Sequence, residues 1–143
     1  MLPDWPAGTV TILCTSGETP HAIPVSAAVR AGPTRALIAL AQGRESLARL
    51  RARAEVALAI VARGTAVTAH GHARVVDEEL VPGVVAVEVE VRRVQDHGRS
   101  SFRIDSGVGW RWTDPEAAAR DEEVRTALER LASAPPGPPR SDV

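Results

Sequence analysis

ALIALAQGRESLARLRARAEVALAIV, residues Ala36 to Val61, holds two apolar runs separated by a glycine-led turn and an arginine-rich segment. Ala36 to Ala41 and Glu55 to Ala62 have the length and hydrophobicity of buried strands, and Ala36 to Ala41 and Val56 to Ala62 are apolar on both faces, which predicts cover on both sides. Between them Leu47, Leu50 and Ala54 recur at helical spacing, leaving Arg44, Arg49, Arg51 and Arg53 on the other faces. The stretch therefore reads as strand, turn, short helix, strand. The helix opens Gly43-Arg44-Glu45-Ser46, so a guanidinium and a hydroxyl stand beside first-turn amides that have no intrahelical partner. Such an end favours an anion, because the dipole and the free amides both present positive charge. The same spacing also describes a connecting helix with a solvated basic face.

Toward the N-terminus, Val10 to Thr15 reads as a first strand, Ser16-Gly17-Glu18 as a turn, and His21 to Val29 as a second strand. Pro24 would remove a ladder hydrogen bond from that run, so the strand belongs at an edge or carries a bulge. Toward the C-terminus, Arg63-Gly64 predicts a tight hairpin. In Thr65 to Val76, Val67, Ala69, Gly71, Ala73 and Val75 alternate with Thr68, His70, His72 and Arg74. After the Pro82-Gly83 turn, Val85, Val87, Val89 and Val91 alternate with Glu88, Glu90 and Arg92, a strand with one wet face, and Arg92-Arg93 interrupts the pattern as a bulge would.

Phe102, Ile104, Val108, Trp110 and Trp112, placed about Ser106-Gly107, predict a last hairpin with both Trp side chains on one face. Thr113-Asp114-Pro115-Glu116 is a helix start, and Val124, Leu128 and Leu131 form one apolar stripe ending near Ser133. The order predicts a mainly β, antiparallel barrel or highly curved sheet with one small inserted helix and a C-terminal helix. Residues 1–134 form one domain in this reading, and the Pro-rich 135–143 a disordered tail.

The 143 residues suffice for one real core, and with 3% aromatics and no Tyr that core must be built from Val, Ala, Leu and Ile. All 17 basic residues are Arg, yet the net charge of −1 offers no general field for nucleic acid. Cys14 stands alone, which excludes an intramolecular disulfide framework and suits a reducing cytoplasm. MLPDWPAG does not have the form of a signal peptide, and no apolar run reaches the length of a membrane span.

Gly17 through Val25 spell G-x-x-P-H-x-x-P-V with flanking GETPHAIPVS, and QGRESLARLRARAEVALAIV and HGHARVV follow in order. This sequence of motifs resembles the pyridoxamine 5′-phosphate oxidase-like, flavin-binding split barrels over roughly residues 9 to 112. The resemblance implies a Greek-key-like split β-barrel, a homodimer, and FMN or the deazaflavin F420 bound at the subunit interface. It assigns the cofactor phosphate to Arg44 and Ser46, with Arg49 one turn on, and the ring edge to Pro24, Val25, Ser26 and Leu40. It nominates Trp110, Arg111 and Trp112 as residues that approach the flavin from the partner subunit. Two departures stand out: the chain has no Lys, and Gly64-Thr65-Ala66-Val67 occupies the strand where some relatives offer a Gln.

The implied activity is an FMN-dependent oxidoreductase of a small-molecule substrate, with no nucleic-acid or membrane partner. A flavin-, F420- or haem-binding carrier or sensor, and a cofactor-free dimeric module, are the alternatives. His70 and His72 share a strand face but lack a third ligand, so no metal site is expected. His21 is a candidate acid or base beside a bound ring, or a polar strand end, and Cys14 reads as a small buried hydrophobe. No nucleophile–base array or glycine-rich nucleotide loop is present to supply side-chain catalysis, which fits chemistry carried by a cofactor.

Overall fold

The structure is a computed structural model and describes residues 1–134, so the proposed tail lies outside the described residues. The elements run β1 (Thr11–Thr15), β2 (His21–Val25), β3 (Ala28–Gly32), β4 (Arg35–Ala41), α1 (Glu45–Ala52), β5 (Glu55–Ala62), β6 (Thr65–Val81), β7 (Val84–Asp96) and α2 (Pro115–Ser133). The strands form one seven-stranded sheet in the order β2-β1-β5-β6-β7-β4-β3, with every neighbouring pair antiparallel.

Strands β2 and β3 are consecutive in the chain yet occupy opposite edges of the sheet, joined only through Ser26 and Ala27. A sheet whose edges are tied by so short a link must curl until they meet, which makes a barrel with an open seam. One backbone bond, from Ala39 N to Ala27 O at 3.2 Å, carries the β3–β4 pairing one residue back into this link. The run His21 to Val29, expected as one strand, is therefore two: β2 pairs with β1, and after Ser26 the chain crosses to β4. Pro24 lies in an edge strand, where its missing N–H costs no ladder bond on the open side.

Leu13, Ile38, Leu58, Ile60, Val87 and Val89 fill the barrel interior, and Leu47 and Leu50 turn α1 into a plug against them. A second core lies outside, where Leu37, Val81, Val84 and Ala86 meet Val124 and Leu128 of α2. Strand β4 is thus covered on both faces, by the barrel and by α2. Strand β5 is covered on one: Val56, Leu58 and Ile60 are buried, whereas Val61 is exposed and Ala57 and Ala59 half-buried.

Gly64 (φ 72°) and Gly83 (φ 79°) take the positive φ that the two-residue loops after β5 and β6 require. The bulge lies at Arg92, because His70 pairs with Arg93 while Gly71 pairs with Val91. Strand β6 continues to Val81 rather than ending at Val76. Glu88 does not lie on a wet face: it is buried, its carboxylate accepting from Arg35 Nε at 2.6 Å and from Arg74 Nη2 at 3.2 Å. Strand β7 sits between β6 and β4, and arginines from both neighbours close over it.

The last hairpin is not formed. Residues 102–112 have no strand pairing and run as an extended strap, fastened by Gly64 N to Ile104 O (3.0 Å) and Val10 N to Val108 O (2.9 Å). The helix start is as expected in place, but Asp114 is the cap, its carboxylate accepting from Glu116 N at 3.1 Å, with Pro115 in the first turn.

Candidate functional site

The seam carries a concave pocket of about 220 Å³ lined by Pro24, Val25, Ser26, Ala39, Leu40, Ala41, Arg44, Trp110 and Trp112. Each element delivers its residues for a local reason. The edge strand β2 ends at Val25, so Pro24 to Ser26 lie along the opening, and the end of β4 faces them. Beyond Ala41 the chain reverses through Gln42 and Gly43, with Arg44 N donating to Ala41 O at 3.0 Å, and this turn puts Arg44 at the rim. The strap brings Trp110 and Trp112 over the same opening, their rings edge-to-face with centroids 6.1 Å apart.

Gly107 sets the strap's path. A Cβ at this position would overlap the carbonyl oxygen of Val61 and stand 2.7 Å from its carbon and 3.1 Å from Ala62 Cα. Only glycine lets the strap lie this close to the end of β5.

Arg44 is the first flanking residue of α1, and no side chain caps the helix. Among the described residues Arg44 forms no ion pair. The acidic Glu45 beside it engages His21 instead, Oε2 to Nδ1 at 3.0 Å. Ser46 is 1% exposed and its hydroxyl has no partner among the described residues. It stands at the start of α1 but does not line the pocket. Arg49 is turned elsewhere: its Nε donates to Thr15 Oγ1 at 3.0 Å, its Nη2 donates to Thr19 O, and the guanidinium lies against Gly17. It braces the β1–β2 turn. Arg111 is exposed and is not part of the lining that its two Trp neighbours share.

The structure thus gathers Pro24, Val25, Ser26, Leu40, Arg44, Trp110 and Trp112 in one place. An unpaired guanidinium and an uncapped helix start meet apolar strand ends and two indoles at this opening. That donor set suits a ligand with an anionic group and a flat ring system. The volume alone would hold only part of a nucleotide, since small-molecule sites usually span about 300–1,000 Å³. A second cavity of about 350 Å³, against α2, shares Ser26, Ala39, Ala41 and Trp112 with this pocket.

Residues of that second cavity, Asp121 and Arg120 among them, escaped the sequence reading. The only local signal was the i,i+4 spacing of Asp121 and Arg125, which do pair at 3.1 Å. His70 contacts Gln95 Oε1 at 3.5 Å on the outer sheet face. Among the described residues no group of three or more His, Cys, Asp or Glu side chains is placed to hold a metal. Cys14 is half-buried, and burial pushes its thiol pKa up. Among the described residues no helix is long and apolar enough to cross a membrane.

No protein-family model matches this sequence, and no curated protein matches it. Solved structures do. A candidate pyridoxamine 5′-phosphate oxidase from Listeria innocua superposes with a TM-score of 0.54 at 13% identity, covering 64% of this chain and 90% of its own. A FAD-binding protein from Mesorhizobium loti gives a TM-score of 0.53 at 13% identity, with coverages of 62% and 84%. An F420 reductase gives 0.54 at 10% identity, with coverages of 62% and 90%. At such identities the likeness is one of fold. This chain has the split-barrel fold of the pyridoxamine 5′-phosphate oxidase-like proteins.

Proposed function

We propose that this chain is a flavin-dependent oxidoreductase that holds FMN in the seam pocket. The observation that carries the reading is the convergence of Arg44 and the uncapped start of α1 with the ends of β2 and β4 and the Trp110–Trp112 pair on one opening. In this reading Arg44 and the first amides of α1 bind the phosphate, and Ser46 offers its unpartnered hydroxyl from beneath. Pro24, Val25, Ser26 and Leu40 lie along the ring edge, and the indoles exclude water from it. The bound ring system supplies the electron transfer, so the protein's work is binding, orientation and shielding. Solved neighbours described as FAD-binding and as an F420 reductase support a flavin or deazaflavin ligand in general, and F420 is the second reading.

The working unit in this proposal is a homodimer. Ile12 (37% exposed) and Val61 (45% exposed) stand with Ala57 and Ala59 on the uncovered face of β1 and β5, an apolar area a second copy would bury.

The visible spectrum of freshly purified protein separates a flavin doublet from a single deazaflavin band. Titration of cofactor-free protein with FMN then tests the site. Arg44→Ala should lose a charge-assisted bond of about 1.5–3 kcal/mol, roughly ten- to a hundredfold in affinity. Arg53→Ala, at the other end of α1, should change little, and riboflavin should be nearly indifferent to Arg44→Ala. Equal losses for both arginines would overturn the phosphate site.

A further inference from the structure

Beyond Ser26 and Trp112, the cavity of about 350 Å³ lies between the end of β4 and the first turns of α2. We infer that it binds a small, flat, mostly apolar organic monoanion, and that such molecules are the substrate class of the oxidoreductase proposed above. The word substrate rests on that proposal, whereas the binding rests on the cavity alone.

The walls select an apolar body. Ala27, Ala39, Ala41 and Ala117 come from the seam, β4 and α2, and each leaves open the space a larger side chain would fill. Val84 and Val124 complete the apolar wall. Trp112 contributes an indole that also borders the seam pocket, so an occupant lies next to whatever fills that pocket. Ser26, Ala39 and Ala41 are shared by the two in the same way.

The charges select an anion. Asp121 is already satisfied: Oδ1 accepts from Ser26 Oγ at 3.3 Å and Oδ2 from Arg125 Nη2 at 3.1 Å. Arg120 donates to Pro82 O and, among the described residues, has no carboxylate in ion-pair range. Its cation is therefore the group at this cavity left to meet a ligand charge. The start of α2 adds no phosphate cradle, because Pro115 has no N–H and the amide of Glu116 is taken by Asp114. A single guanidinium, with Glu116 and Glu123 about one turn to either side, suits a monoanion better than a phosphate ester.

The test titrates 2-naphthoate and 2-naphthylmethylammonium into the full chain by calorimetry, with and without FMN. The carboxylate should bind about three- to tenfold tighter than the amine, and Arg120→Gln should remove that preference. Ala117→Leu fills the cavity with another good helix former and should weaken both probes by about tenfold. Ala117→Met repeats the filling test with a more adaptable side chain at a residue outside the seam pocket if the leucine variant folds poorly. Arg53→Ala, outside the lining of either cavity, should leave naphthoate binding unchanged. The inference is overturned if the filled variants bind naphthoate like the wild type, or if the amine binds as tightly as the carboxylate. FMN titrations of the same variants keep the two readings apart. Naphthoate binding without FMN binding overturns the cofactor proposal alone, and FMN binding without naphthoate binding overturns this inference alone.

Discussion

Gly107→Ala is the sharpest perturbation the fold offers. One methyl group enters where the strap lies on the backbone of β5: the new carbon would stand 2.7 Å from the carbonyl carbon of Val61 and overlap its oxygen. Carbon–carbon contacts settle at about 3.5–4.0 Å, so something must withdraw by roughly 1 Å or more. The sheet will not, because Val61 is paired with Ala66 in the β5–β6 ladder. The strap will, since its flanking backbone ties are Gly64 N to Ile104 O at 3.0 Å and Val10 N to Val108 O at 2.9 Å. Losing both costs about 0.5–1.5 kcal/mol each, or about 1–3 kcal/mol together.

If the strap unfolds with the barrel, the melting temperature should fall by roughly 3–12 °C. If it detaches alone, the melting temperature holds and the tryptophan signal changes. Trp110 and Trp112 are 46% and 43% exposed in place, so release should shift emission to the red and raise acrylamide quenching. Trp5, tied through its Nε1 to Ala28 O at 3.1 Å, supplies a constant background that Trp5→Phe removes. Gly43→Ala is the control, because nothing lies within 4 Å of the added carbon. A Gly107→Ala protein with the melting temperature and the emission of the wild type would refute the close seating of the strap.

Glu88→Gln should destabilise the chain by about 1.5–3 kcal/mol in urea unfolding, because Arg35 and Arg74 lose the charge they share. A change below about 0.5 kcal/mol would place that carboxylate among ordinary surface groups. Cys14 should alkylate more slowly in the native chain than in urea at neutral pH, since burial raises its pKa and depletes the thiolate. The native rate should keep climbing past the ordinary thiol range of about 8.5, and equal native and denatured rates would contradict this.

The sequence by itself determined β1, β4, β5 and β7, the start of β6, both helices, the Arg92 bulge and the two glycine hairpins. Each is set by neighbours a few residues apart: alternation for β6, a leucine stripe for α1, a first-turn Pro115 behind a capping residue for α2. It also determined Arg44 as the cation at a helix start, because that depends only on where α1 begins.

Tertiary structure decided what depends on contacts across the chain. His21 to Val29 looks continuous in sequence, and only the closing of the barrel makes it change edges at Ser26. Alternation put Glu88 in water, but Arg35 and Arg74 come from the strands on either side and bury it. Phe102 to Trp112 carries a strand's hydrophobicity, yet Gly107 trades ladder pairing for van der Waals contact with Val61 and carries both tryptophans to the seam. Arg49 shares its helix and its chemistry with Arg44, and a turn 30 residues away in sequence claims it. Local periodicity reports which face of an element is apolar; which partner meets that face is set by topology, and the pocket belongs to the topology.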